Sequence, residues 1–109
     1  METFNEANKI EIETYDILKT VIDPELGINI IDLGLIYKIE YDNHNGTIKI
    51  EITLSTKGCP MGDVIMDNIH SKIGEKFPTL KLNLSLVWEP AWSPDLVTPA
   101  GRKALGMSY

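Results

Sequence analysis

The chain has one cysteine in 109 residues, and there is no second thiol to pair with it. A lone Cys excludes an internal disulfide, and it excludes the paired cysteines of a zinc ribbon, a ferredoxin or a CxxC redox centre. A reducing, cytoplasmic compartment is therefore the expectation. Also missing is any apolar run near the ~20 residues of a membrane span, and Met1-Glu2-Thr3-Phe4-Asn5-Glu6 has neither the basic nor the apolar region of a signal peptide. No membrane partner is expected. Positive charge is scarce as well: ten Lys+Arg stand against sixteen Asp+Glu, a formal net charge of -6. Sequence-independent affinity for a phosphate backbone needs a basic patch, so nucleic acid is not expected as a partner either. The acidic excess falls within residues 1–32, and the remainder of the chain is balanced. GxGxxG, P-loop and HExxH motifs are absent, so nucleotide and zinc-protease chemistry have no foothold.

What is present is a chain that is 43% hydrophobic, long enough for a single domain spanning residues 1–109. Ile10, Thr14, Ile17, Leu18 and Val21 recur at helical spacing, Thr3 and Glu6 have the form of a capping box, and Asp23-Pro24 stops the helix. Residues 25–34 read as an ordered loop. Leu35, Tyr37, Ile39 and Tyr41 then alternate with polar or edge positions, and Ile48, Ile50, Ile52 and Leu54 do so again after a turn closing on Asn45-Gly46, which is a β-hairpin with one buried face. Met61, Ile65, Ile69 and Ile73 stack on a second helix that Pro60 could open and that Gly74 and Pro78 end. Leu80, Leu82, Leu84, Leu86 and Trp88 mark a third strand, and Thr98-Pro99-Ala100 starts a short helix toward Leu105. The order α-β-β-α-β-α predicts an α+β two-layer sandwich, a three-stranded mixed sheet with helices packed on one face.

Cys59 is the first candidate for chemistry. Between Gly58 and Pro60, at the N-cap of the second helix, it would meet unpaired amides and the positive end of the helix dipole, with Lys57 nearby, and these lower a thiol pKa. A buried, inert cysteine is the alternative, but a glycine-proline loop is a poor place to hide a core side chain. Asp23, Glu25 and Asp32 flank the loop before the sheet. They could bind a cation or exchange protons, yet the spacing favours a plainer role, in which Asp23 and Asp32 accept from loop amides and Glu25 is solvated. Thr53, Ser55 and Thr56 carry hydroxyls on the face opposite the buried isoleucines, just before Cys59. Exposed strand threonines are mostly good strand formers, and nearness to the thiol is what singles these out. Trp88 and Trp92 read as a satellite core under the tail rather than a binding platform. His44, in a turn, and His70, on the second helix, give no base for a cysteine triad.

Three segments together carry a resemblance: Val21-Ile22-Asp23-Pro24-Glu25-Leu26-Gly27 with Ile31-Asp32-Leu33-Gly34-Leu35-Ile36-Tyr37; Leu54-Ser55-Thr56-Lys57-Gly58-Cys59-Pro60-Met61-Gly62; and Val87-Trp88-Glu89-Pro90-Ala91-Trp92-Ser93-Pro94-Asp95. In content and order they resemble the MIP18-like family, formerly DUF59, which includes SufT-type iron–sulfur assembly factors and the N-terminal domain of PaaD-type proteins. The resemblance implies an iron–sulfur-assembly-domain-like fold and a role in maturing iron–sulfur proteins. It places the family's Asp-Pro-Glu on Asp23, Pro24 and Glu25, its reactive cysteine on Cys59, and its hydroxyl pair on Thr53 and Ser55 or Thr56. Ser55 stands where the family more often has Thr, and Ala91 replaces a frequent proline. The cysteine-rich extension of PaaD-type members has no counterpart, which turns the expectation away from a dedicated oxygenase role.

The expected function is an assembly or carrier factor, not an enzyme. Cys59 would bind iron or an iron–sulfur cluster transiently, as a shared ligand, with nothing held permanently. A cluster needs about four cysteine ligands, so one thiolate must share it with a second protomer (a homodimer), with a carrier or scaffold protein, or with a small thiol, before the cluster passes to an apo-client. The sequence is compatible with two rival roles. One is an adaptor that joins carrier and client without touching metal, and the other is a thiol-dependent enzyme, weakened by the missing resolving cysteine and base.

Overall fold

The computed structural model describes residues 2–54 and 62–106, with the side chains of residues 2–7 left aside. Helix α1 (Glu2–Leu18) is followed by β1 (Ile22–Asp23), β2 (Ile28–Asn29), β3 (Ile36–Asp42), β4 (Thr47–Ile52), α2 (Gly62–Lys76), β5 (Lys81–Leu86), a 3-10 turn (Pro94–Leu96) and α3 (Pro99–Leu105). The main sheet has the order β3-β4-β5, with β3 antiparallel and β5 parallel to the central β4. It is thus mixed, as the α-β-β-α-β order of the sequence requires: a short turn permits only an antiparallel neighbour, and the α2 crossover allows a parallel one.

The core is built on β4. Ile48, Ile50 and Ile52 are fully buried, and so are Ile65 and Ile69 on α2 and Leu18 on α1. Helix α1 packs on β3 and on α2, which itself packs on β5. The other face carries Lys38, Glu40, Lys49 and Glu51, none of them buried. Strand β5 is an edge: Leu82 and Leu84 are half-buried, and Leu86 is exposed. Helix α3 packs on β2 instead of on the sheet.

Several boundaries differ from the sequence expectation. Thr3 lies within α1, which already includes Glu2, so it is not the N-cap. The helix closes at Leu18, five residues before Asp23. Val21 keeps its place in the core, but as part of a tightening turn in which the amides of Thr20 and Val21 donate to the carbonyls of Ile17 and Leu18. The loop read at residues 25–34 contains a small hairpin, Ile22 opposite Asn29 and Asp23 opposite Ile28. Gly27, at φ 71°, makes its turn. Gly74 lies inside α2, which runs on to Lys76 before Pro78. A register shift between Ile36 and Lys38 interrupts β3.

Candidate functional site

Of the site residues singled out from sequence, Asp23, Glu25, Asp32 and Thr53 fall among the described residues. Asp23 is buried, and its Oδ1 accepts from the amides of Glu25 (2.8 Å) and Leu26 (3.2 Å). Its carbonyl accepts from Gly27 (2.8 Å). This is the Asx turn expected of an Asp before Pro, and it consumes the carboxylate locally. The side of Glu25 is exposed.

Asp32 does something the sequence reading did not foresee. It is Asn29 that takes the loop amide, its Oδ1 accepting from Asp32 N (2.9 Å), while the Asn29 side-chain amide donates to Asp32 Oδ2 (2.8 Å). The Thr98 hydroxyl donates to Asp32 Oδ1 (2.9 Å), and the Thr98 amide donates to the Asp32 carbonyl (2.9 Å). Thr98 in turn caps α3, its Oγ1 accepting from Gly101 N (3.1 Å). Hydrogen bonding from Asn29, then from Thr98, holds the Asp32 carboxyl below its usual pKa despite the opposing effect of burial. Asp32 is therefore a fastener between the loop and the tail. Thr98 was legible only as a helix start, and its partner lies 66 residues away, beyond any local pattern.

The tail is fixed to the same turn. The Trp92 indole N–H donates to the Leu33 carbonyl (2.7 Å), and the Tyr37 hydroxyl donates to the Pro90 carbonyl (2.8 Å). Trp88 and Trp92 are half-buried against the core, as a satellite core requires. Gly34 has φ 76°, and a Cβ there would collide with the Leu96 carbonyl.

Thr53 is the anomaly. The ladder of β4 ends at Ile52, so strand alternation no longer decides which side it faces, and Thr53 and Leu54 are buried in succession. The expected exposed hydroxyl is instead 0% accessible. The Thr53 amide donates to the Leu35 carbonyl (2.8 Å), which ties it to the strand following the Asp32 turn. Its Oγ1 has no hydrogen-bond partner among the described residues. The other two buried polar side chains among the described residues, Thr14 and Asp23, are both satisfied. An unpaired buried hydroxyl costs roughly 1–3 kcal/mol, and native structures retain few of them.

Ser55, Thr56 and Cys59 lie outside the described residues, as do Lys57, Gly58, Pro60 and Met61, the residue expected to open the apolar stack of the second helix. The segment that carries them is bracketed by Leu54 and Gly62. Those two are in close contact: a Cβ on Gly62 would sit 2.7 Å from Leu54 Cδ1. Among the described residues no group of three His, Cys, Asp or Glu side chains could hold a metal ion, and Asp23 and Asp32 belong to separate hydrogen-bond networks. No helix among them is long and apolar enough to cross a membrane.

With this geometry in place, the comparisons with known proteins converge. The chain is 40% identical over 88 residues, 81% of its length and 99% of the relative's, to the Fe-S protein maturation auxiliary factor SufT of Staphylococcus aureus. It is 33% identical over 90 residues, 83% of its length and 87% of the relative's, to the Fe-S protein maturation auxiliary factor YitW of Bacillus subtilis. The crystal structure of a DUF59 domain from Bacillus anthracis superposes with a TM-score of 0.86 at 32% identity, covering 94% of this chain and 97% of that one. Residues 12–81, which run from the middle of α1 to the start of β5, match the family described as iron–sulfur cluster assembly protein, and the chain belongs to that family.

Proposed function

We propose that this protein is an auxiliary factor for the maturation of iron–sulfur proteins, acting in the reducing cytoplasm between an iron–sulfur carrier or scaffold and apo-clients. The observation that carries the reading is the likeness to SufT, which extends over 99% of that relative's length. The cargo is an iron–sulfur cluster or iron, held transiently. Cys59 supplies one thiolate, and the remaining ligands come from the donor, the recipient or a small thiol. Transfer is ligand exchange: a bond from iron to the outgoing thiolate breaks as one to the incoming thiolate forms. The Cys59 proton goes to solvent, and no electron changes hands.

Thr53 supports this location. Its buried hydroxyl is unpartnered at the chain position from which the Cys59 segment departs. Being 0% accessible, it would reach a sulfur or oxygen of the cargo only when the chain around it opens on loading. Asp23 and Glu25 would act in support, the Asx turn of Asp23 fixing the loop that presents Glu25, and Ser55 and Thr56 would add hydroxyls.

The test is anaerobic reconstitution with iron and sulfide, followed by transfer to an apo-enzyme that requires a cluster. Wild type should develop charge-transfer absorbance and activate the apo-enzyme, and Cys59→Ala should do neither while keeping its melting temperature. Full activation by Cys59→Ala would overturn the reading and leave an adaptor that joins carrier and client without touching metal.

A further inference from the structure

We infer that the outer edge of β3 is a homodimer interface, in which two copies of the chain pair antiparallel about a two-fold axis through Ile39 and merge their main sheets into one. Among the described residues, the order β3-β4-β5 leaves β3 with a single strand neighbour. One hydrogen bond fixes which of its groups point outward: the Tyr41 amide donates to Glu11 Oε2 of α1 (3.0 Å). Antiparallel parity then turns the amide and carbonyl of Ile39 outward too, and turns Lys38, Glu40 and Asp42 toward β4. An open edge carrying β-branched and aromatic residues is a template for another strand. Beside it lies a cavity of about 210 Å³ lined by Tyr15, Ile31, Ile36, Tyr37, Lys38 and Ile39. Tyr15, on the α1 face toward this edge, is 43% exposed.

Charge selects the occupant and the register. The outward groups alternate, so a two-fold pairing in this stretch must centre on a residue from Tyr37 to Tyr41; an axis at Tyr37 faces Lys38 with Ile36, and one at Tyr41 faces Glu40 with Asp42. An axis at Lys38 sets two lysines against each other, and one at Glu40 sets two glutamates against each other; like charges directly opposite destabilise a ladder. An axis at Ile39 places Lys38 opposite Glu40 of the second copy, twice, and Tyr37 opposite Tyr41. The strand is complementary to itself in that register alone. The same axis stands perpendicular to the sheet, so both α1 helices lie on one face and the two Tyr15 rings close over the junction. Glu11 is the guard of this edge. Its carboxylate occupies the Tyr41 amide that the second copy needs, so pairing and the Glu11 cap compete.

The experiment is sedimentation equilibrium of the full chain over a roughly hundredfold concentration range, with circular dichroism as a fold check. Lys38 and Glu40 make only loose ion pairs within the chain, at 4.0 Å on the surface, but they stand opposite Glu51 and Lys49 of β4, so each exchange also sets a like-charge pair in the intramolecular ladder, and thermal melting of each variant separates that cost from loss of the dimer. K38E and E40K should each weaken the dimer about tenfold or more, since two attractions become two repulsions. The double variant K38E/E40K should restore it. A mixture of the two single variants should give a heterodimer, an acidic strand face against a basic one, which also shows that neither variant is merely misfolded. Glu11→Ala should tighten the wild-type dimer. A protein that stays monomeric throughout, including as Glu11→Ala, overturns the inference, and so does a dimer indifferent to K38E, as an extended segment of another kind or the β5 edge would produce. None of these outcomes depends on cluster transfer.

Discussion

At the scale of single residues, two side chains separate support from function. Thr53 is buried with an unsatisfied hydroxyl, so replacing it by the isosteric valine removes a desolvation cost and no existing bond. Thr53→Val should raise stability by about 1 kcal/mol in urea unfolding while impairing cluster transfer. If stability falls instead, the hydroxyl has a partner in the folded state. Asp32 presents the opposite case. Its folded-state pKa is depressed, so its contribution is complete above the unfolded value of about 3.9 and is lost as pH falls through the folded value. Melting temperatures followed from pH 6 down to pH 3 should show an acid-side loss in wild type that is smaller in Asp32→Asn, whose amide keeps one acceptor and does not titrate. The roles of these residues were unequally legible. An Asp before Pro announces an Asx turn at Asp23, and the structure contains it. Nothing near Asp32 announces Thr98, because the bond joins distant parts of the chain. Thr53 departs from the alternation because the ladder ends at Ile52, beyond which the pattern no longer binds.

The secondary elements themselves were readable wherever the hydrophobic period was long. Ile48, Ile50 and Ile52 fixed the face of β4, and Ile65, Ile69 and Ile73 fixed that of α2. The two-residue strands β1 and β2 are too short to carry a period, and the end of α1 depended on backbone bonds that no side chain signals. The attachment of the tail is also an affair of elements. The 3-10 turn, α3 and the turn after β2 are held together by Thr98, Trp92 and Arg102, whose guanidinium donates to the carbonyls of Val97 (3.2 Å) and Pro94 (3.1 Å). Gly34 is the closest approach in this assembly, combining left-handed backbone with a position from which Leu96 excludes any Cβ. Gly34→Ala should cost about 1–3 kcal/mol. It should also open the tail, read as new proteolytic cleavage within residues 94–106 before global unfolding. Equal protection of wild type and variant would mean that the turn yields without releasing the tail.

For the whole molecule, the dimer inferred at β3 bears on how a cluster could be shared. Pairing through Ile39 sends the two Leu35–Thr53 sheet ends in opposite directions, roughly 27 Å apart along the strands at about 3.4 Å per residue. Two copies joined in this way present two separate sites, and the missing ligands at each would have to come from a carrier, a client or a small thiol. The sheet topology has a further consequence, for the order in which the chain assembles. Strands β3 and β4 are joined by a tight turn, but each rung between β4 and β5 unites residues nearly a third of the chain apart, as in Thr47 with Lys81. Closing that distance requires α2 to form and fold back first, so the parallel half of the sheet is the slow half. Until it closes, β4, whose three isoleucines are the buried centre of the sheet, has one side open during every round of synthesis, and Lys49 and Glu51, alternating with them, are charges placed to oppose pairing of nascent chains there.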